Sequence, residues 1–382
     1  MRVSSRALGA GGDRPSAGGV RAWPPVAGVG AVLLALAAIL LVSSSRSDGV
    51  QRELGIRPAV DRFLDGYVEP DGRVVRRDQG GDTVSEGQAY AMLLTAAIGD
   101  RERFELVWQW TRENLQRPDG LLSWLWRDGG VADPQPATDA DLDAAHALLV
   151  AAGRFREPGY RAEARRIARG ILAQEAAGTK GARVMVAGPW ARAQRPHAVN
   201  PSYFSPLGLR QLARGTGEHG FAALARTGYR HASKLIGNPL PLPPDWAQAA
   251  GPRIEPTPGP DAEQGEPRYG FDAARIPLRL AAACEARTRG LAAELWPFFR
   301  REEAEGDITA AYALDGETLD ATPAPVALVG AAGAADAAGA DEDRDRLLDQ
   351  AQGMDLDNPT YYGAAWGALG RVMLTTDLLG RC

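Results

Sequence analysis

The chain has 382 residues, 45% of them hydrophobic and 24% charged, so it can bury the core of one large domain or two ordinary ones. Its formal net charge of -5 argues against a nucleic-acid partner, which would need a basic surface. The sequence contains neither an H-E-x-x-H motif nor a G-x-x-x-x-G-K-[ST] loop. This argues against a zinc enzyme and a nucleotide hydrolase, and we expect no metal or organic cofactor. Two cysteines, Cys284 and Cys382, do not form a disulfide framework, and the sequence leaves open whether they pair.

The first 50 residues are predicted to be a targeting segment. An uncharged apolar stretch runs from Val26 to Val42, and arginines precede it at positions 2, 6, 14 and 21. This charge asymmetry predicts that the following chain lies outside the cytoplasm. No clear A-x-A cleavage site follows, so an uncleaved membrane anchor is favoured over a cleaved signal peptide. We therefore assign residues 1–50 to targeting and residues 51–382 to one extracytoplasmic domain.

Alanine- and leucine-rich segments with helical spacing dominate residues 51–382. In ELVWQWTRENL, for example, Leu106, Trp110 and Leu115 lie on approximately one helical face. Helices joined by modest loops indicate an all-α array of helical hairpins. In chain order the predicted helices are Ser85–Ile98, Arg103–Leu115, Ala140–Phe155, Tyr160–Glu175, Tyr203–Arg214, Phe221–Leu235, Asp272–Thr288, Leu291–Glu305, Ala324–Ala338, Glu342–Gln352 and Tyr361–Leu379.

Strand patterns are scarce in this sequence. The best candidate is GARVMVAG at residues 181–188, where apolar and other residues alternate. Residues 238–269 are rich in proline and glycine and are expected to be extended or irregular. A loop of this length in a compact domain is usually functional or flexible, and the sequence leaves open whether it lines a site.

Two acidic helix starts allow two interpretations. Thr83 and Glu86 in TVSE fit a capping box, and Thr138 and Asp141 in TDAD form a near equivalent. Acids in a first turn also interact favourably with the helix dipole. On these two segments alone, capping is the simpler interpretation, and a carboxylate that performs chemistry is the alternative.

Crowded acids and nearby aromatic residues favour the chemical interpretation. Asp139, Asp141 and Asp143 fall within five residues, and because like charges this close repel, their presence together suggests a polar ligand nearby. Trp124 and Trp126 in LLSWLWRD could stack on the apolar faces of sugars, although two core tryptophans explain them equally well.

A third feature lies at the end of the long loop. Asp272 and Arg275 in RYGFDAARIPLR are separated by one helical turn. An i,i+3 ion pair is the simple explanation of this spacing. The same pair would suit a carboxylate whose ionised form is kept available as a base.

Four blocks in chain order resemble glycoside hydrolase family 8. They are TVSEGQAYAMLL (83–94), ATDADLDAAHALLVAAGRF (137–155), NPSYFSP (200–206) and YGFDAARIPLR (269–279), and PDW (244–246) and DGRVV (71–75) also fit. DGRVV, NLQRPDGLLSWLW and Leu278 look most like the endoglucanases that accompany bacterial cellulose synthases. The resemblance implies an (α/α)6 barrel, which agrees with the helical array but does not follow from periodicity alone.

The resemblance also implies roles for individual residues. Three carboxylates match the catalytic set: Glu86 as general acid, Asp272 as general base and Asp139 as an auxiliary acid that binds the sugar. Further residues are implied as substrate contacts: Tyr203, Arg275, Asp141, Trp124 and Trp126. Within this second set, Tyr203 is expected to help hold the attacking water, and Arg275 to orient Asp272 or contact the sugar.

The implied function is endo-acting, inverting hydrolysis of internal β-1,4 linkages, with cellulose or a β-glucan as the expected polysaccharide and a cellulose-synthase assembly as a candidate partner. The same family pattern accommodates xylan and chitosan. A membrane-tethered glucan-binding factor without turnover is an alternative from another class. A third alternative, a helical scaffold with ordinary caps, predicts that Glu86 and Asp272 lie on different surfaces.

Overall fold

A computed structural model describes residues 55–179, 182–237, 241–260, 265–380 and 382. The predicted targeting segment, with its apolar stretch at residues 26–42, lies outside these ranges. The membrane anchor and the domain boundary at residue 50 therefore stay predictions. Within the described ranges, no helix combines the length and the apolar character needed to cross a membrane.

The described residues are mostly helical, which confirms the predicted all-α class. Helix α1 includes residues 55–67, a segment that the sequence analysis did not predict as helical. The other helices are α2 Ser85–Ile98, α3 Arg101–Asn114, α4 Thr138–Arg154, α5 Pro158–Gly170, α6 Pro189–Ala193, α7 Pro206–Thr216, α8 Gly220–Leu235, α9 Arg275–Ala281, α10 Ala286–Ala293, α11 Trp296–Glu305, α12 Pro325–Ala337, α13 Asp341–Asp357 and α14 Tyr361–Thr375.

Helix α2 is the central element of the hydrophobic core. Its sequence SEGQAYAMLLTAAI is apolar around most of its circumference, as expected of a helix surrounded by protein. Every residue of α2 except Glu86 is buried. Glu86 is thus the one residue of α2 that is partly exposed.

Helices α9 and α12 approach each other closely because two glycines lie between them. A Cβ atom on Gly330 would lie 2.3 Å from the carbonyl oxygen of Ala274, and one on Gly333 would lie 2.6 Å from the Cα atom of Leu278. Any larger side chain at these positions would push the helices apart. This close packing fixes the position of α9, which begins at Arg275.

Eleven short strands in the described residues are a correction to the expectation that strands are scarce. They are β1 Thr83–Val84, β2 Leu125–Arg127, β3 Gly130–Asp133, β4 Ala176–Thr179, β5 Ala182–Met185, β6 His197–Val199, β7 Trp246–Ala250, β8 Arg253–Thr257, β9 Arg268–Tyr269, β10 Thr309–Ala313 and β11 Thr318–Pro323. Strands of two to six residues are too short to show alternation in a sequence. The candidate at residues 181–188 is confirmed by β5.

The strands form small antiparallel sheets. The sheet orders are β1-β2-β3, β6-β7-β8, β9-β10-β11 and the pair β4-β5. Thr83 pairs with Trp126, and Trp246 pairs with Thr257. Within the segment 238–269, expected to be extended or irregular, the described residues therefore include the β7–β8 hairpin and strand β9.

The predicted helix Asp272–Thr288 is wrong in its extent. Asp272 lies in a turn, α9 ends at Ala281, and α10 starts only at Ala286. The turn is closed by backbone bonds from Ala274 N to Gly270 O at 2.9 Å and from Arg275 N to Asp272 O at 3.1 Å. Asp272 is consequently presented from a turn, ahead of a helix.

The two capping boxes are also wrong. The N-caps are Val84 and Ala137, and neither makes a side-chain capping bond. Thr83 Oγ1 instead donates to the carbonyl of Val74 at 2.7 Å, and Thr138 Oγ1 donates to the carbonyl of Val186 at 2.8 Å. Both threonines tie a helix start to another segment, which leaves the acids that follow them free for other partners.

The two cysteines pair. Cys284 and Cys382 form a disulfide with a Cα–Cα distance of 5.1 Å across a sequence separation of 98 residues. The C-terminal tail that carries Cys382 is also held by His146, whose Nε2 lies 2.6 Å from the carbonyl oxygen of Leu379. The bridge joins the segment after α9 to this tail.

We expect the double variant Cys284→Ser/Cys382→Ser to be less stable than the wild type by about 2–4 kcal/mol, because the bridge restricts the unfolded chain. Urea unfolding followed by tryptophan fluorescence measures this difference. A reducing agent should destabilise the wild type and leave the double variant unchanged. Equal unfolding midpoints for the two proteins under oxidising conditions would contradict the prediction.

Candidate active site

A cavity of about 810 Å³ brings four of the predicted site residues together. Glu86, Trp124, Tyr203 and Asp272 all line it. They come from the start of α2, the segment before β2, a short 3-10 turn and the turn before α9. The scaffold alternative required the two acids to lie on different surfaces, and it is wrong.

Glu86 is positioned by backbone and side-chain contacts to the segment around Trp124. Ser85 N donates to the carbonyl of Trp124 at 2.9 Å, which fixes the start of α2. The indole Nε1 of Trp124 then donates to Glu86 Oε1 at 3.2 Å, and Ser85 Oγ donates to Glu86 Oε2 at 3.3 Å. Trp124, expected to stack on a sugar, therefore also orients the carboxyl group of Glu86.

Burial, followed by the negative charge of Asp139, raises the pKa of Glu86 to about 8. A backbone hydrogen bond and the charges of Arg275 and Arg76 oppose the shift. Desolvation penalises the charged form, so Glu86 is protonated at neutral pH. A protonated carboxyl group that faces a cavity can donate its proton to a bound ligand, as a general acid does.

Asp272 differs from Glu86 because a cation is its direct hydrogen-bond partner. Arg275 Nη2 donates to Asp272 Oδ1, and Asn200 Nδ2 donates to Asp272 Oδ2 at 2.9 Å. One donor is a cation, and both oxygens of the carboxylate are engaged. The side chain of Asp272 is 33% exposed at the cavity, so a water molecule can reach it. This arrangement suits a carboxylate that accepts a proton from water.

Arg275 joins Asp272 to Asp139. Its side chain is buried, and Nη1 donates to Asp139 Oδ2 at 2.9 Å. Asp139 is itself buried and is not among the residues that line the cavity. Burial raises the pKa of Asp139, and the positive charges of Arg275 and Arg279 oppose that shift. Asp139 thus holds Arg275 and repels charge on Glu86, while the predicted sugar contact stays a prediction.

Tyr203 follows the Asn200 turn and lies against the same guanidinium group. The Arg275 guanidinium carbon lies 5.7 Å from the centre of the Tyr203 ring. Burial raises the pKa of Tyr203 well above its ordinary value, so its hydroxyl group stays protonated and can donate a hydrogen bond. That it holds the attacking water stays a prediction.

Two predicted substrate contacts lie elsewhere. Asp141 is fully buried, and its Oδ1 accepts a hydrogen bond from Leu122 N at 2.8 Å. Trp126 packs edge-on against Trp110 with ring centres 5.5 Å apart, and Arg73 covers it at 4.2 Å. Neither residue lines the cavity. Because Asp141 is inaccessible, the expectation that it touches the sugar is corrected, whereas the sugar contact of the partly exposed Trp126 stays a prediction. Both are held by long-range packing, which local spacing does not reveal.

The sequence analysis missed several residues of the site. Asn200 stood in the quoted block NPSYFSP without a role, and it contacts the predicted base. Trp190 and Trp246 line the cavity and offer aromatic faces beside Trp124. The segment 238–269, left open before, contributes Trp246 and other residues of the β7–β8 hairpin to the cavity wall. The presence of PDW in the family pattern was the available signal for this wall.

A metal site is not apparent in the part of the chain that the structure describes. There, no cluster of three or more His, Cys, Asp or Glu side chains is arranged to hold a metal ion. The expectation that no metal or cofactor is needed stays a prediction.

The raised pKa of Glu86 predicts a pH profile. An acid catalyst must be protonated, so kcat/KM should fall as pH rises through about 8. Asp139→Asn should move this alkaline limb to lower pH, because it removes a repelling charge and leaves Arg275 less neutralised. Turnover rates measured across roughly pH 5–10, on both sides of this pKa, locate the limb.

Asp143→Asn is the matched control for this experiment. Asp143 lies one turn further along α4, is equally buried, and pairs with Arg279 at 2.7 Å. Its neutralisation should leave the alkaline limb in place. An alkaline limb that Asp139→Asn does not move, or that Asp143→Asn moves as far, would contradict the assignment.

Comparisons with known proteins identify the relatives of this chain. A family model described as Glycosyl hydrolases family 8 matches residues 32–375. A probable endoglucanase of Novacetimonas hansenii is 34% identical over 233 residues, which cover 56% of this chain and 64% of the relative. An endoglucanase of Cellulomonas uda is 31% identical over 229 residues, which cover 58% of this chain and 62% of the relative. These alignments span less than two thirds of either relative.

The match to a solved structure covers a larger share of that structure's chain than the two sequence alignments cover of theirs. The endo-beta-1,4-glucanase CMCax from Acetobacter xylinum superposes with a TM-score of 0.70 at 28% sequence identity. The match covers 83% of this chain and 97% of that one. The helical array described above is therefore shared with a solved structure over nearly the full length of that structure's chain.

Proposed function

The chain belongs to family 8 of the glycosyl hydrolases, and from this premise we propose that it is an endo-acting, inverting hydrolase of internal β-1,4 linkages. Cellulose or a related β-glucan is the proposed substrate, which the names of the endoglucanase relatives support. The proposal includes the (α/α)6 barrel as the arrangement of its helices. The observation that carries it is the placement of Glu86 and Asp272 on one cavity with opposite environments.

The proposed reaction is a single displacement at the anomeric carbon. Glu86 donates its proton to the glycosidic oxygen as the bond to the anomeric carbon breaks. A water molecule attacks that carbon from the opposite face, and Asp272 takes the proton that the water loses. Such a mechanism requires the two carboxyl groups to be about 6.5–9.5 Å apart, so that the water fits between them. Solvent then returns the proton to Glu86 and removes it from Asp272.

The aromatic walls suit a polysaccharide substrate. Trp124, Trp190 and Trp246 line the same cavity, and indole rings stack on the apolar faces of pyranose units. Polar side chains that also line the cavity, among which are Gln135, Gln194 and Gln248, can bond sugar hydroxyl groups. This combination of indole rings and amide side chains favours a neutral glycan over a strongly charged one.

The proposal extends to where the protein works. The Cys284–Cys382 disulfide supports a location outside the cytoplasm, because such bridges persist in oxidising compartments. The arginines before residues 26–42 support tethering by that stretch, and the resemblance to endoglucanases that accompany bacterial cellulose synthases supports work beside such an assembly.

Glu86→Gln tests the function. Glutamine keeps the size of the side chain and can still accept the Trp124 indole N–H, but it has no acidic proton to transfer to the glycosidic oxygen. We expect turnover of carboxymethylcellulose, measured as new reducing ends, to fall at least 10³-fold, roughly the contribution of general acid catalysis. Binding of cello-oligosaccharides, measured by calorimetry, should persist.

Glu102→Gln, an exposed acid in the first turn of α3, is the matched control and should keep wild-type turnover. Near-normal turnover by Glu86→Gln would show that the acid is wrongly assigned. The same assay with xylan and chitosan separates the substrate alternatives. Oligosaccharide binding by the wild type without any new reducing ends would instead support the non-catalytic binding factor.

A further inference from the structure

The turn that carries Asp272 is built around a second acid, Asp245. Asp245 Oδ1 accepts hydrogen bonds from Gly270 N at 3.0 Å and from Ala273 N at 2.7 Å. The backbone N of Asp245 donates in turn to the carbonyl of Arg268 at 2.8 Å. These three bonds hold the chain on both sides of Asp272 to a single residue from an earlier part of the sequence.

The contact is close enough to demand a glycine. A Cβ atom on Gly270 would lie 2.6 Å from Asp245 Oδ2, well inside van der Waals contact. The backbone conformation of Gly270 is not in the left-handed region, so the space is the constraint and the backbone angle is not. Gly270 therefore lets the carboxylate approach the turn.

Asp245 keeps its carboxylate at an electrostatic cost. It is 8% exposed, and burial raises its pKa to about 6, with repulsion from Asp272 as the next cause. The two backbone hydrogen bonds and Arg268, whose Nε lies 3.5 Å from Oδ2, oppose this shift. The hydrogen bonds from the two amides that bracket Asp272 offset part of the cost of burying this acid.

We propose that Asp245 is a positioning residue for the reaction: by accepting the amide hydrogens of Gly270 and Ala273, it fixes the turn that aims Asp272 at the attacking water. The inference rests on the proposed function, because it concerns the base of that reaction. Asp245 acts through the backbone and does not line the cavity. The two hydrogen bonds from the Gly270 and Ala273 amides to Asp245 are called the clamp. A shift of about 1 Å in a reacting group can cost 10²-fold in rate, so loss of the clamp should lower kcat.

The test compares Asp245→Ala with Asp245→Asn on a soluble cello-oligosaccharide, well below the unfolding temperature of each variant. Alanine removes the acceptor, and kcat should fall about 10–100-fold with KM within about twofold of the wild type, because substrate contacts stay in place. Asparagine keeps an oxygen for both amides and should recover at least about tenfold in kcat over alanine, since a neutral acceptor still satisfies both donors. Rates are normalised to folded protein by tryptophan fluorescence.

Gly270→Ala tests the same contact from the other side and serves if Asp245→Ala does not fold. Its new Cβ atom displaces the Asp245 carboxylate, so kcat should fall as in Asp245→Ala. Gly290→Ala in α10 is the matched control, because nothing lies within 4 Å of a Cβ atom there, and it should keep wild-type kcat.

Two results would overturn the clamp: wild-type kcat in Gly270→Ala or in folded Asp245→Ala, or an asparagine variant as slow as the alanine variant. A loss that appears only as a lower unfolding temperature would assign Asp245 a purely structural role. An inactive wild-type protein would instead refute the proposed function, and the clamp would fall with it.

Discussion

The candidate site depends on the buried guanidinium group of Arg275. It is 3% exposed and bridges Asp139 on α4 to Asp272 in the turn before α9. Breaking a buried ion pair leaves an uncompensated charge, which costs about 3–5 kcal/mol. Arg275 therefore keeps two acids from different parts of the chain in place and gives the predicted base a cationic partner. The close contact of α9 with the two glycines of α12 fixes the backbone of α9, the helix that begins at Arg275.

The contrast between the two predicted catalytic carboxyl groups follows from their positions at the start of α2 and in the turn before α9. Helix α2 is buried except at Glu86, which is half-buried in the cavity wall. The surrounding protein still desolvates the Glu86 carboxyl group enough to outweigh the helix dipole, which favours its charged form. Asp272 comes from a partly exposed turn with a cation and an amide beside it. The fold thus keeps Glu86 protonated and gives Asp272 a cation and an amide as partners. Acid–base hydrolysis needs two carboxyl groups in such different environments.

Local pattern was sufficient for elements whose cause is local. Helix α2 spans Ser85–Ile98 as predicted, because an apolar run ends at Gly99, which takes the left-handed conformation common after a helix. The turn at Asp272 was missed, because it is fixed by Asp245 and Asn200, which are distant in the chain. Asp141 was misplaced for the same reason: it shares the acidic run with Asp139, yet its partner is the backbone of Leu122.

Family resemblance added what spacing could not. It associated Glu86 with Asp272 across most of the chain, and the structure places both on one cavity. The resemblance did not specify that Trp124 bonds the acid or that Asp139 acts through Arg275. These are contacts between side chains, and only the folded arrangement of helices shows them.

The most direct test of the central claim is the configuration of the first product. Asp272, with both oxygens engaged by Arg275 and Asn200, is assigned as a base that activates water and not as a nucleophile. Proton NMR of a β-1,4-glucan oligosaccharide, recorded in the first minutes of hydrolysis, distinguishes the two anomers before mutarotation mixes them. The account predicts the α-anomer as the initial product. Initial release of the β-anomer would show that the enzyme retains configuration and would contradict it.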